Sequence, residues 1–586
     1  MKSFRSVLRR NALRALTLCA LILTTSFSAF AKVIPMTRAK ADAERFLKEA
    51  AHGRSPLLYL TFAGSRETKA GAAEPAYFVF NDARGGFVIA AGDDTVPFIL
   101  GYSTSGSVRE DSMPENLRGW LDMWSDIVED ARRTGAAPYP QAAPTTGGTS
   151  KLLETALWDQ GDPFNRHCVE MEGERAVTGC TMTATAILMR YHQWPERGHG
   201  VVPSYVCRYK EQDYTIPSVE LGHPYDWANM PLTNDADGSW SDQQVEEVST
   251  LMSELGVMFR AEYSPEKTGA YLSYVGAGLA EYMDYDKSFR HEHKNLYPDL
   301  NDWIALMKDN IDKVGPVLYA GYSADSGHAF LLDGYDEQDN FHINWGWSGS
   351  YNGYFVMPDF LSFTLSQEAV LGLKPDAGGS FTEDVRIIYR GLQASVDDFA
   401  VGVPFSVSCM SVLNYGEETF AGETAFAKFD RQGGMDELVS EPRALSLESM
   451  SVDLLSEAPC VIHTPIKTGD VIQMVYRSPR TPSWTPVRYN HEDENLVGAI
   501  AVGDPVILED IVSVSYDALT GILTVSFADK ASCELRLGAT AVHTGVSDQG
   551  NVVTIDARQL VPAEYTLHLQ RGDQEKDITI KFGLKK

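Results

Sequence analysis

Positive charge is scarce in this chain. Its 586 residues include 50 Lys and Arg against 80 Asp and Glu, a formal charge of −30. Residues 1–31 hold five of those bases and no acid, so a chain without them carries −35. A surface that negative repels phosphate backbones and anionic headgroups, which excludes nucleic acid as a partner. Cysteine is also sparse. Cys19, Cys168, Cys180, Cys207, Cys409, Cys460 and Cys533 are scattered without a CxxC. No His/Cys cluster has zinc spacing, so neither a metal nor a cofactor is expected. Asp235-Ala-Asp237-Gly238 lacks the Glu that closes a calcium loop and reads as a turn. No apolar run of about 18 residues is present, which argues against a stable membrane span. No internal repeat is clear enough to indicate a solenoid.

What is present is a globular composition, 44% hydrophobic and 10% aromatic, in a length that accommodates about three to five domains. Lys2, Arg5, Arg9, Arg10 and Arg14, the apolar run Ala15–Leu23 and Ala29-Phe-Ala31 form the pattern of a cleavable signal peptide over 1–31. Helical spacing is expected over Met36–Ala51 and Leu117–Arg132, and a hairpin over Ala76–Asn81 and Gly86–Ala91. Residues 134–150 are uncharged and rich in Pro, Gly, Ala and Thr, the composition of an exposed linker open to cleavage. Over 151–375 helical patterns (Thr181–Tyr191, Gln243–Leu255, Leu300–Lys313) alternate with aromatic strands (Phe330–Tyr335, Asn340–Trp345, Gly353–Met357), an α+β texture. From 376 on, short alternating strands such as Ala400–Val407, Val471–Tyr476 and Ile522–Phe527 read as β-sandwich modules, with a boundary placed near 505.

Thr178-Gly-Cys180-Thr opens the helix expected from Thr181. A thiol there meets the positive end of the helix dipole, which favours the nucleophilic thiolate. The segment alone equally fits a small buried cysteine. His328, in Ser326-Gly-His-Ala-Phe330, lies 148 residues after Cys180, and Asn344 lies 16 residues later. Cys, His and Asn in that order and at those distances match the layout of papain-like cysteine peptidases. In that layout His328 would take the thiol proton and return it to the leaving amine. Asn344 would bond the other ring nitrogen, and Trp345 would shield that bond. Gln160, in Trp158-Asp-Gln160, fits an oxyanion hole with the Cys180 backbone N–H, and taken alone fits a polar loop residue better. His192 and His342 are expected to be structural.

Six stretches carry a wider resemblance: Trp158–Asn165, Gly173–Cys180, Met189–Pro195, Tyr225–Met230, Gly327–Tyr335 and Phe341–Gly349. Residues 151–375 resemble the streptopain family of secreted bacterial cysteine peptidases. Residues 33–133 are similar to its propeptide, notably Gly86–Asp94 and Pro97–Tyr102. The resemblance implies Cys180 as nucleophile and His328 as acid/base, with Gln160, Asn344 and Trp345 in support. It also implies a papain-like two-lobed α+β domain behind a strand-rich inhibitory prodomain. Ser348 departs from the family pattern, standing where a Gly is usual. Residues 551–586 resemble C-terminal sorting or β-sandwich modules of Gram-negative secreted proteins.

The expected organisation is therefore a signal peptide (1–31), prodomain (32–133), linker with the activation cut (134–150) and catalytic domain (151–375). A β-sandwich (376–505) and a C-terminal β module of sorting type (506–586) follow. The expected function is a cysteine endopeptidase made as a zymogen, secreted or held at the cell surface of a Gram-negative bacterium. Its expected partners are protein or peptide substrates and its own prodomain. Two alternatives use the same sequence: a non-catalytic surface adhesin on a papain-like scaffold, or a transpeptidase.

Overall fold

A computed structural model describes residues 32–65, 74–111, 113, 115–134, 136, 138, 139, 149–322, 327–357 and 366–503. Beyond these it describes strand residues 512–517, 522–527, 532–537, 540–546, 552–556, 563–571 and 574–582. The expected signal peptide with Cys19, linker residues 140–148, Ser326, the boundary near 505 and the basic end 584–586 lie outside the described residues.

Helix α1 (Met36–Ala50) buries Ala39, Ala43 and Leu47, a stripe at four-residue spacing. Helix α2 (Glu115–Thr134) likewise turns Leu117, Trp120, Leu121, Trp124 and Val128 inward. Helix α3 (Cys180–His192) differs in being buried from Thr181 through Met189. Its small and apolar side chains leave no polar face, so it belongs inside the molecule. Helix α4 (Asp242–Met258) starts at a capping box in which Ser241 and Gln244 satisfy each other's backbone N–H groups. Helix α5 (Ser273–Tyr282) was not expected. Its Gly and Ala content hides the amphipathic period, and it forms because Val275 and Leu279 have a core to enter. Helix α6 (Leu300–Lys313) is capped by Asp299.

One antiparallel sheet runs through both N-terminal regions. Strands β1 (Leu58–Gly64), β2 (Tyr77–Asp82), β3 (Phe87–Ala91) and β4 (Ile99–Ser103) form a meander. The later strands are β5 (Arg290–His293), β6 (Val317–Tyr322), β7 (Gly327–Tyr335), β8 (Phe341–Asn344), β9 (Gly353–Phe355) and β10 (Ser366–Leu371). Their order across the sheet is β1-β2-β3-β4-β9-β8-β7-β6-β10-β5, with Lys151–Leu152 pairing the end of β7. At the β4–β9 seam Tyr102 faces Tyr354 and Gly101 faces Phe355. The Val356 N–H donates to the Leu100 carbonyl, and the Tyr102 hydroxyl donates to Asp336 at 2.9 Å. The N-terminal region is thus hydrogen-bonded into the sheet that follows it.

Strand β7 is covered on both faces. Ala329 and Leu331 enter a core shared with Trp158, Met182, Ile187, Leu251 and Leu279. Phe330 and Leu332 enter a second core with Trp120, Trp303, Trp345 and Phe355. The expected two-lobed α+β domain is therefore a helical lobe and a sheet lobe meeting at this strand.

Residues 385–501 form two antiparallel-rich sheets around one core, with Val407, Cys409 and Val412 from one sheet and Phe426, Ile472 and Met474 from the other. The strand expected over Ala400–Val407 is shifted, and Phe405–Asn414 is the observed strand. Gly402 sits at φ +76° in a turn and Pro404 lacks an N–H, so pairing starts after them. Val471–Arg477 and Ile522–Phe527 are strands as expected. The described strands between 512 and 582 form two further small antiparallel sheets. No described helix is long and apolar enough to cross a membrane.

Candidate active site

Cys180 is the first residue of α3, preceded by Gly179 at φ +89°. A side chain on Gly179 would also stand 2.6 Å from the Thr268 carbonyl oxygen, so only glycine fits. The Thr178 N–H donates to the Gln160 carbonyl at 2.9 Å, which ties the Gln160 loop to the segment entering the helix. The Gln160 backbone N–H donates to Asp159 Oδ1 at 2.7 Å. The sulfur of Cys180 accepts from the Ala329 backbone N–H at 3.4 Å. Cys180 and the start of β7 are therefore in contact.

His328 precedes Ala329, and alternation along the strand turns its side chain to the opposite face. Its Nε2 lies 3.2 Å from the Trp345 carbonyl oxygen, and its ring stacks on Trp347 at 4.8 Å. No hydrogen bond joins the imidazole to the Cys180 sulfur. Burial pushes the His328 imidazole down to about 3, against a smaller opposing effect of the Trp345 carbonyl. Burial also pushes the Cys180 thiol up, opposed by the N–H groups of Ala329 and Thr181 and the Thr181 hydroxyl. The helix-start argument for a thiolate is thus outweighed here by desolvation, and both groups are neutral in this form.

Asn344 differs from expectation as well. Its Nδ2 donates to Thr155 Oγ1 and to the Ala156 carbonyl, both at 2.9 Å, and its Oδ1 accepts from Gly346. It does not touch His328, because the imidazole is on the Trp345 carbonyl instead. Behind Asn344, Thr155 donates to Asp333 Oδ2, and His342 Nδ1 lies 2.5 Å from Asp333 Oδ1. Nothing in the sequence pattern marked Thr155 or Asp333, since 178 residues separate them. His342 is an element of this network, and His192 is half-buried, with its Nε2 atom buried and unpartnered.

Trp345 is 1% exposed, with its indole N–H on the Tyr351 carbonyl and its ring stacked at 5.3 Å on Trp347. On the other side, Trp120 of α2 meets Phe355 at 5.2 Å, and Phe355 meets Trp345 at 5.6 Å. The N-terminal helix thus packs into the aromatic wall behind His328. Ser348 adopts φ +55°, a conformation that favours glycine, and its hydroxyl donates to Asp159 at 2.7 Å beside Gln160. The six described cysteines are unpaired. Cys168 and Cys207 are buried, and burial pushes both thiols up.

Residues 158–355 match the profile of the Peptidase C10 family, and residues 31–128 match that of the Spi protease inhibitor. The chain is 30% identical over 334 residues to streptopain of Streptococcus pyogenes, covering 51% of this chain and 80% of streptopain. It is 29% identical over 585 residues to the thiol protease/hemagglutinin PrtT of Porphyromonas gingivalis. That match takes in 92% of this chain, which spans 65% of the length of PrtT. Among solved structures, a prointerpain A fragment of Prevotella intermedia is similar at 29% identity and a TM-score of 0.45, over 54% of this chain and 99% of that one.

Proposed function

The chain belongs to the Peptidase C10 family, and from that premise we propose that it is a secreted cysteine endopeptidase made as a zymogen. Residues 32–133 act as its prodomain, 134–150 carry the activation cut, and 151–375 are the catalytic domain. The observation that carries the proposal is the meeting of Cys180, at a glycine-gated helix start, with β7 one residue after His328. In the active form His328 leaves the Trp345 carbonyl and faces Cys180. It takes the thiol proton, and the thiolate attacks the substrate carbonyl carbon. The Gln160 amide and the Cys180 N–H receive the negative oxygen. Collapse breaks the peptide bond, the amine leaves with the proton from His328, and a thioester remains. Water, deprotonated by His328, then releases the acid and restores the thiol. Asn344 and Trp345 position the wall against which the imidazole works.

The described form supports a latent state. Its imidazole is held away from the sulfur while α2 and β4 are packed against β9 and the Trp345 wall. The β modules after 376 serve a second role, sorting or surface binding. The name of PrtT, which joins protease with hemagglutinin, favours binding.

A thiol-directed peptidyl inhibitor tests the proposal. Mass analysis of activated enzyme is expected to place the label on Cys180 alone. Cys180→Ala is expected to abolish peptide hydrolysis while leaving the thermal midpoint nearly unchanged, and hydrolysis surviving that change would refute it. A labelled but non-hydrolysing enzyme that joins peptides would establish the transpeptidase instead.

A further inference from the structure

Away from the active site, His291, His293 and Glu368 present ligand atoms that all lie within 4.8 Å of one another. Strands β5 and β10 pair antiparallel with His293 opposite Glu368, and His291 is two residues along, so the three share a face. Tyr415, at the turn after Phe405–Asn414 of the β-sandwich, covers them. Its hydroxyl lies 3.2 Å from His291 Nδ1 and 3.0 Å from His293 Nε2. The joint between peptidase sheet and sandwich is fixed beside it. The His491 N–H donates to the Asn295 carbonyl, Thr382 donates to the Phe289 carbonyl, and Arg488 pairs with Glu292.

Counting hydrogens in this cluster leaves it one cation short. Glu368 Oε1 accepts from the Tyr322 hydroxyl at 2.6 Å, and Oε2 accepts from His291 Nε2 at 2.8 Å. His291 Nδ1 is then an acceptor and takes the Tyr415 hydrogen. The Tyr415 oxygen in turn accepts from His293 Nε2. With both imidazoles neutral in these tautomers, His293 Nδ1 is a lone pair 3.8 Å from Glu368 Oε2. Side chains of His291 and Glu368 are each 9% exposed and that of His293 is 19% exposed.

We propose that His291 Nε2, His293 Nδ1 and Glu368 Oε2 bind a divalent cation of the zinc class, with Tyr415 as the positioning residue behind both imidazoles. Two imidazoles and a carboxylate are a donor set suited to zinc, with water in the fourth position. Atoms spanning 4.8 Å have a common point about 2.8 Å or less from each, so closing to about 2.0–2.2 Å takes a small inward shift. Binding needs no net proton release. His291 changes to its Nδ1–H tautomer, the Tyr415 hydrogen rotates off that nitrogen, and the Tyr415 oxygen then accepts from both rings, the arrangement that orients metal-bound histidines. Arg386 stacks over Tyr415 at 3.7 Å, but Asp384 pairs it at 2.7 Å. A cavity of about 310 Å³ lined by His291, Tyr415, Glu417 and Arg290 opens beside the cluster. The filled site ties β5 to β10 and reaches the sandwich only through the Tyr415 hydroxyl. It also holds Glu368, and through it Tyr322, at the end of β6.

The test uses the full chain carrying Cys180→Ala, which removes a competing active-site thiol. Co²⁺ titration is expected to give visible absorption of tetrahedral type that saturates at one equivalent and is bleached by one equivalent of Zn²⁺. His293→Gln and Glu368→Gln are expected to abolish that signal with circular dichroism unchanged. Tyr415→Phe, which keeps the three ligands, is expected to weaken binding about 10- to 100-fold. Absence of a one-equivalent signal in the parent overturns the proposal, as does a signal that persists in folded His293→Gln. Should the ligand variants fail to fold, an affinity unchanged in Tyr415→Phe overturns it.

Discussion

In the described form the His328 imidazole and the Cys180 thiol are held apart by different partners. His328 sits on the Trp345 carbonyl, and Cys180 takes its hydrogen bond from Ala329. Each group is desolvated and neutral, which on the proposed mechanism is the resting side of acyl transfer. Asn344 belongs to the scaffold of this arrangement, since its amide spans Thr155, Ala156 and Gly346. Removing a buried amide leaves those partners unsatisfied, at a cost of about 1–3 kcal/mol. Asn344→Ala is therefore expected to lower unfolding free energy by that amount, measured by denaturant titration. It should reduce activity less than loss of Cys180 does. An unchanged unfolding midpoint would remove Asn344 from the scaffold.

At the scale of elements, the approach to α3 and the seam with α2 matter most. Gly179 combines φ +89° with a 2.6 Å approach of the Thr268 carbonyl to any added Cβ. Gly179→Ala is expected to displace the start of α3. Peptide hydrolysis should fall at least tenfold, with the thermal midpoint lowered, in an assay of the activated enzyme. Trp120 is 4% exposed in α2 and packs edge-on against Phe355. Truncating a buried tryptophan costs about 3–5 kcal/mol. Because that loss falls on the prodomain side of the seam, Trp120→Ala is expected to hasten conversion to the mature form. Time courses of processing by gel would show it, and an unaltered rate would mean that α2 does not restrain activation.

Across the whole molecule, histidines held below their ordinary value contribute to the response to acid. Burial pushes His328 and His293 down to about 3 and His192 to about 4, from an ordinary value of 6.5. The unfolded chain takes up these protons as pH falls through about 6.5, whereas the folded chain resists until about 3–4. Their contribution to stability is thus complete above about pH 6.5 and is lost progressively between there and about pH 3. Proton uptake on unfolding of the Cys180→Ala full chain is expected to peak near pH 5. His328→Gln should reduce that uptake by close to one proton, measured from the pH dependence of unfolding free energy. An uptake unchanged by His328→Gln would mean that His328 titrates normally in the folded chain.

Much of this was legible in the residues. The helices Met36–Ala50 and Leu300–Lys313 follow from apolar spacing, the β2–β3 hairpin from its turn, and the Cys180 helix start from Gly179 ahead of a small apolar run. Each depends on near neighbours in the chain, and local sterics and periodicity decide such features. Helix α5 escaped notice because Gly and Ala carry almost no hydrophobic signal until a core exists to receive Val275 and Leu279. The side of β7 on which His328 rests, the diversion of Asn344 to Thr155, and the Thr155–Asp333–His342 chain were invisible for a different reason. They join residues up to 189 positions apart, and only strand pairing sets which atoms meet. The same holds for His291, His293 and Glu368. His-x-His in a strand supplied half of that cluster, but the carboxylate arrives by the pairing of β5 with β10 and the hydroxyl by docking of a separate β-sandwich. The sequence determined which chemical groups the chain carries and which short segments fold around them. The tertiary structure alone decided which groups face one another and which are desolvated, because both depend on long-range pairing and on burial from every side.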